Sequence, residues 1–327
     1  MPGIAEEYRI AASGAAWVER AARGRIRFEG PDSASFLQAL LSNDILRLTR
    51  GQGVYATYLT PLGRMIADIE VLHRGDALLG IVADGTGPAL AARFDLLIFS
   101  EAVTVTDQSS VWTEIAVSGG QAADVIAAAL AMDPAALSAL PELSQLDAGS
   151  GFVVRGGDSP WPMFRIVVPI PDRDGTIRAL ESHGARAMSE GLAETLRVEA
   201  GRPQWGQDLT PETIPLEAGL LDRAISTSKG CYVGQEIIIR ILHRGGGRVA
   251  KRLVKLALDP GLMTPPASGT NVLASGHAVG HITSAAFSPA NSRVIALAYV
   301  HRDSAEVGTP LTIEGIDVPA AVVGVTG

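Results

Sequence analysis

The chain has 327 residues, of which 47% are hydrophobic and 19% charged, with a formal net charge of −8 and a single cysteine. That length exceeds one compact core and points to two or three domains, and the composition excludes a disordered chain. The negative balance argues against nucleic acid or anionic membrane as a partner of the whole surface, and one cysteine excludes an intrachain disulfide.

Residues 1–20 carry Glu6, Glu7 and Glu19 without an apolar stretch of the signal-peptide kind, and no run is long enough to span a bilayer. A cytoplasmic protein without membrane contact is expected. Residues 1–16 read as a loose entry segment. Arg25–Phe28 alternates as a short strand, and Gly30-Pro31-Asp32-Ser33 turns into a helix over 35–41. Strands are expected at 54–59, 65–72 and 77–83, with a turn at Thr60-Pro61-Leu62-Gly63, then a helix over 88–99 and a strand over 102–106. The order is β-α-β-β-β-α-β.

A similar pattern follows. Strands are expected at 113–117, 152–155 and 164–169, and helices at 121–131, 177–183 and 192–200. Two α+β units with antiparallel sheets account for it. A proline-rich loop (201–215) leads through helix and loop (216–228) to the cysteine. After Gly245-Gly246-Gly247 come six short segments at 253–258, 270–274, 278–286, 294–299, 310–313 and 316–323, separated by turns, which read as a small β-barrel or sandwich.

The densest chemistry lies in Lys229-Gly230-Cys231-Tyr232-Val233-Gly234-Gln235-Glu236, followed by Ile237-Ile238-Ile239-Arg240. A lone cysteine is most often buried and inert. Lys229, two residues away, is of the kind that lowers a thiol pKa and favours the thiolate, so Cys231 is a candidate redox or covalent centre with Lys229 as its activator. One cysteine cannot by itself hold a cluster or a structural zinc, and no resident metal is expected. From Lys229 to Lys255 there are seven Lys/Arg against Glu236 alone. That is a solvated face or a site for phosphate, carboxylate or RNA backbone. Arg240, Arg244, Arg248 and Lys251 would serve the last, although the net charge and the scarcity of aromatics oppose it. Arg197-Val198-Glu199-Ala200-Gly201-Arg202 reads as a helix C-cap with an exposed charge pair, or as a carboxylate for a heterocycle's paired N–H groups. His277 and His281 lack a carboxylate partner nearby, and neither Gly-x-Ser-x-Gly nor Gly-x-Gly-x-x-Gly occurs.

The cysteine motif resembles the K-G-C-Y-x-G-Q-E signature of the YgfZ-type folate-binding proteins, relatives of the glycine-cleavage T-protein (aminomethyltransferase). Phe36-Leu37-Gln38, Asn43-Asp44, Gly53–Tyr58 and Pro61–Arg64 are similar to the N-terminal pattern of that superfamily, and Arg197–Gly201 to its R-x-E-A-G element. The resemblance implies an α+β, three-domain ring-like T-protein fold: two antiparallel-sheet α+β units (17–110 and 111–200), a cysteine-motif segment (201–248) packing back on them, and a C-terminal β-barrel (249–327). It implies tetrahydrofolate or a derivative as cofactor, held by Glu199 with Arg197, Arg240, Tyr232, Gln235 and Glu236 around the site. It also implies an accessory role in iron–sulfur cluster assembly or repair, with cluster client or assembly proteins as partners, tRNA-modifying enzymes among those supported, and Cys231 as the redox-active or cluster-contacting thiol. The T-protein aspartate doublet falls on Ala67-Asp68, so its first carboxylate is absent. The alternative is a folate-dependent aminomethyltransferase or demethylase working through Asp68.

Overall fold

A computed structural model of the chain describes residues 3–243, 246–316 and 318–326. Arg244 and Gly245 of the basic stretch lie outside them. The chain groups into two compact units, residues 1–56 with 68–193 and residues 57–67 with 194–327.

Two sheets lie mainly in the first unit. One runs Gly53–Leu59, Met65–His73, Ala77–Asp84, Arg23–Glu29 and Thr104–Asp107 in spatial order, which are the five strands expected from the sequence. Along Met65–His73 the odd positions Met65, Ala67, Ile69 and Val71 are buried, while Ile66, Asp68 and Glu70 are half-buried. The period of two therefore sets Asp68 and Glu70 on one face. The other sheet runs Arg186–Ala187, Ala16–Glu19, Trp112–Ser118, Met163–Pro169, Gly151–Gly156 and Gln145–Ala148, with helices Ala122–Leu130 and Arg173–Ser182 in the same unit. Phe164, Ile166, Ile115 and Val117 pack with Ile126 and Leu180 into its core. A smaller core joins Leu72, Leu79 and Ile81 of the first sheet to Phe152, Val154 and Val167 of the second.

Several local expectations change. Among the described residues the entry segment is not loose: Ile4–Ser13 is a helix with Tyr8 and Ala11 buried. Ala16–Glu19 is a strand of the six-stranded sheet, paired with Trp112–Ser118. The helix expected over 88–99 stops at Asp95. Beyond it Leu96 and Phe99 are exposed, and the Glu101 carboxylate accepts from the Phe99 and Ser100 N–H groups, a turn that competes with further helix. Pro134–Ser138 and Gln145–Ala148 are elements too short to show a period.

In the second unit the six segments after residue 250 form a closed barrel, ordered Lys251–Leu258, Arg293–His301, His277–Ser288, Asn271–Ala274, Pro310–Ile313 and Val318–Val325. Closure removes the exposed edges that strands this short would otherwise present. Val254, Leu256, Val272, Ile282, Val300, Ile313 and Val322 fill its interior. Instead of a helix at 216, successive turns precede the short helix Leu221–Ala224. Among the described residues no helix is long and apolar enough to cross a membrane.

Candidate functional site

In the first unit the chemistry centres on Asp68. The Tyr55 hydroxyl donates to Asp68 Oδ2 at 2.9 Å. Burial pushes the Asp68 carboxyl above the usual carboxylate range, against the pull of that hydroxyl and of the Arg23 guanidinium. The segment holding Tyr55 is itself tied down. Gln38 Oε1 accepts the Ile45 N–H at 2.7 Å and Gln38 Nε2 donates to Asp44 Oδ1 at 3.2 Å, while Asn43 Nδ2 donates to the Tyr55 carbonyl at 2.8 Å. The Gln38, Asn43 and Asp44 side chains thus work as scaffold for the strand that aims Tyr55.

Beside Asp68 lies a buried charged cluster. Arg165 Nη1 donates to Glu70 Oε2 at 2.5 Å, and Arg23 reaches Glu70 at 3.5 Å and Glu114 at 3.4 Å. Arg25, fully buried, spends its guanidinium on the carbonyls of Arg20, Ala21 and Arg23. Burial would raise Glu114, but Arg23, Arg165 and Arg25 outweigh it and hold its carboxyl below the ordinary range. Removing one member would strand the others in a low dielectric. The sequence showed no sign of it, because its members come from four strands.

In the second unit the helix Glu190–Glu199 ends in a Schellman motif. The Arg202 N–H donates to the Arg197 carbonyl at 3.1 Å, the Gly201 N–H donates to the Val198 carbonyl at 3.0 Å, and Gly201 takes φ +69°. The C-cap reading holds, but the exposed charge pair does not. Arg197 is buried and all five of its N–H donors are engaged: Nε and Nη2 grip the Glu194 carboxylate at 2.8 and 2.6 Å, Nη1 reaches Asp208 at 2.7 Å and the Arg202 carbonyl at 2.5 Å, and Nη2 reaches Ser284 at 2.7 Å. Fully buried Asp208 also accepts from the Thr283 and Ser284 hydroxyls and the Gln204 N–H. Arg197 therefore has no donor left for a ligand and acts as a positioning residue. Two positions on, Glu199 is half-buried; its Oε1 accepts from the Ser288 hydroxyl at 2.5 Å, and its carbonyl accepts from Lys255 Nζ at 3.1 Å. Asn291 Nδ2 in turn donates to Ser288 Oγ at 2.8 Å.

The cysteine motif is a loop running into the helix Gln235–His243. Gly234 takes φ +83° and lies so close to the turn at residues 60–63 that an added Cβ would stand 2.5 Å from the Thr60 carbonyl oxygen. An added Cβ at Gly63, φ +70°, would stand 2.9 Å from Ile237. Arg64 locks the same turn by donating to the Glu212 carboxylate and, at 3.1 Å, to its carbonyl. Ile238 is the fully buried member of the isoleucine run. Cys231 is exposed, whereas Lys229 is buried with its ammonium 5.1 Å from the centre of the Tyr232 ring. The Tyr232 hydroxyl is buried without a hydrogen-bond partner among the described residues, and burial pushes it up to about 12. The Gln235 N–H donates to the Tyr232 carbonyl at 3.2 Å, and Glu236 and Arg240 are exposed on the helix. Lys251 Nζ lies 4.6 Å from the Tyr299 ring centre and 3.9 Å from Glu217. Among the described residues no group of three His, Cys, Asp or Glu could hold a metal ion.

Sequence reasoning missed Tyr55, Ser288 and Asp208. Tyr55 lay inside a motif segment that resemblance had marked, but its partner follows only from the pairing of two neighbouring strands. Ser288 sits 89 residues from Glu199 and carried no signal.

Residues 1–147 match the GCVT N-terminal domain, and residues 251–325 match the glycine cleavage T-protein C-terminal barrel domain. An aminomethyltransferase of Rubrobacter xylanophilus is 30% identical over 98% of this chain and 85% of its own length. The chain belongs to the glycine cleavage T-protein family. An aminomethyltransferase of Rippkaea orientalis is 31% identical over 89% of this chain and 79% of its own length. The solved aminomethyltransferase T of the Bartonella henselae glycine cleavage system superposes with a TM-score of 0.88 at 22% identity, covering 98% of this chain and 88% of that one. The T-protein fold, α+β with antiparallel sheets and a closed six-stranded barrel, is therefore the fold of this chain.

Proposed function

We propose that the protein binds tetrahydrofolate and transfers a one-carbon unit with it, as a folate-dependent aminomethyltransferase or demethylase. The observation that carries this reading is the Tyr55–Asp68 pair: a carboxylate oriented by a phenol, its proton affinity raised by burial. A carboxyl whose proton affinity is raised in this way suits proton handling, and its ionised form stabilises cationic charge that develops on an aminomethyl donor. The loss of the first aspartate leaves alanine at position 67, and Ala67 is buried on the opposite face of the strand from Asp68. A carboxylate there would not share the face that carries Asp68 and Glu70.

Tetrahydrofolate supplies the nitrogen that accepts the one-carbon unit. Of this chain's residues, Glu199 fits the cofactor: it is a half-buried carboxylate with one oxygen fixed by Ser288, matched to adjacent ring N–H and amino donors. The Rubrobacter xylanophilus and Rippkaea orientalis relatives are aminomethyltransferases, which supports the same activity. Titrating tetrahydrofolate against wild type and Glu199→Ala tests the binding half. About 10–100-fold weaker affinity is expected for loss of charged hydrogen bonds, and equal affinity would remove Glu199 from the site.

One observation favours a second reading. Cys231 is exposed at the start of a glycine-pinned loop, as a thiol serving a YgfZ-type iron–sulfur accessory role would need to be. Complementation of a strain lacking such a factor tests it. Full rescue of cluster-enzyme activity by Cys231→Ser would end the thiol role.

A further inference from the structure

The basic stretch is only partly absorbed by the function above. Lys255 turns to the Glu199 carbonyl and Lys229 to Tyr232, but Arg248 and Arg252 go elsewhere. With Arg302 they line a cavity of about 490 Å³ whose other walls are Val249, Asp303, Ala305, Glu306, Val307 and Val325. The barrel register explains how they meet. Arg252 pairs with Val300, and the Arg302 N–H continues the ladder by donating to the Ala250 carbonyl at 3.1 Å. Arg252 shares strand parity with Val254, Leu256 and Leu258, which fill the barrel interior, so it stands where that interior opens to solvent. Lys255 has the opposite parity, which puts Glu199 on the other face of the strand.

The cavity therefore joins an apolar floor to a cationic rim. Val249 and Ala305 are buried, and Val307 and Val325 expose large apolar surface at its edge. Among the described residues Arg248 and Arg252 form no ion pair, and Arg302 only approaches Asp303 at 3.5 Å. Three guanidiniums face two exposed carboxylates. Planar guanidiniums such as those of Arg248 and Arg252, which form no ion pair among the described residues, are suited to bidentate capture of carboxylate or phosphate, and barrel mouths of this volume are common ligand sites.

We propose that the mouth of the C-terminal barrel is a second binding site, which takes a small organic oxyanion with an apolar body. The oxyanion seats on Arg248, Arg252 and Arg302, and the apolar part lies against Val249, Ala305, Val307 and Val325. Because the three arginines are exposed, their loss leaves the barrel core intact.

The test uses the full chain and the probe 8-anilinonaphthalene-1-sulfonate, whose sulfonate and fused rings match both halves of the site. Fluorescence titration should give saturable, salt-sensitive binding to wild type. Arg252→Ala/Arg302→Ala should weaken it at least about tenfold, and Val307→Asp should weaken it without removing an arginine, with unchanged circular dichroism in both. Displacement by phenyl phosphate would name phosphate as the head group, and displacement by 3-phenylpropionate would name carboxylate; either supports the site. Equal binding by wild type and the double variant, or failure of both displacers at millimolar concentration, would overturn it.

Discussion

The Tyr55 hydroxyl donates to Asp68 while the Tyr55 carbonyl accepts from Asn43, so one residue carries order from a loop into the carboxylate. Asp68→Asn keeps the shape and removes the charge. It should lower formation of methylenetetrahydrofolate from an aminomethyl donor by about 10²–10⁴-fold, the range for a positioned acid or base. Tyr55→Phe should cost less and move the acid limb of the rate profile to higher pH, because the lost hydrogen bond pulls the Asp68 carboxyl down. Turnover unaffected by Asp68→Asn would refute the transferase reading.

The same carboxyl makes a prediction about stability. Its folded pKa is raised above 3.8, so in the window between 3.8 and the folded value the native state binds more protons than the unfolded one. The Asp68 contribution is then most favourable below 3.8 and is lost as pH rises through the folded pKa. Asp68→Asn removes that slope. Urea midpoints at pH 4 and pH 7 should show the variant gaining on wild type as pH rises, and a constant difference would contradict it.

Arg197 should matter to folding more than to ligand contact. Arg197→Ala leaves Asp208 buried with its charge uncompensated, at a cost of about 3–5 kcal/mol. Adding Asp208→Ala should recover part of that loss, which a double-mutant cycle in urea would read as coupling. A loss below about 1 kcal/mol would show that the network does not constrain the helix end.

Gly234 carries a backbone conformation that an L side chain resists and a contact that leaves no room for one. Gly234→Ala should destabilise the protein by about 1–3 kcal/mol and speed alkylation of Cys231 by loosening the loop. Gly230→Ala, where nothing stands within 4 Å, should do neither. Identical alkylation rates in all three proteins would show that the loop does not depend on Gly234.

The six short strands of the barrel and the five of the first sheet were legible in the sequence, because alternation and turn residues act over a few positions. Asp68 was legible as what remains of a doublet, whereas only the packing of Gly234 on Thr60 tells the motif's glycines at 230 and 234 apart. What supports the candidate site was not legible. Tyr55 meets Asp68 through strand register, Glu199 meets Ser288 across 89 residues, and Arg197 finds Asp208 and Ser284 in a loop and a barrel strand. Local propensity sets strands and turns because its energies are local. The partners of a buried charge are chosen by desolvation, which takes effect only when distant segments close together.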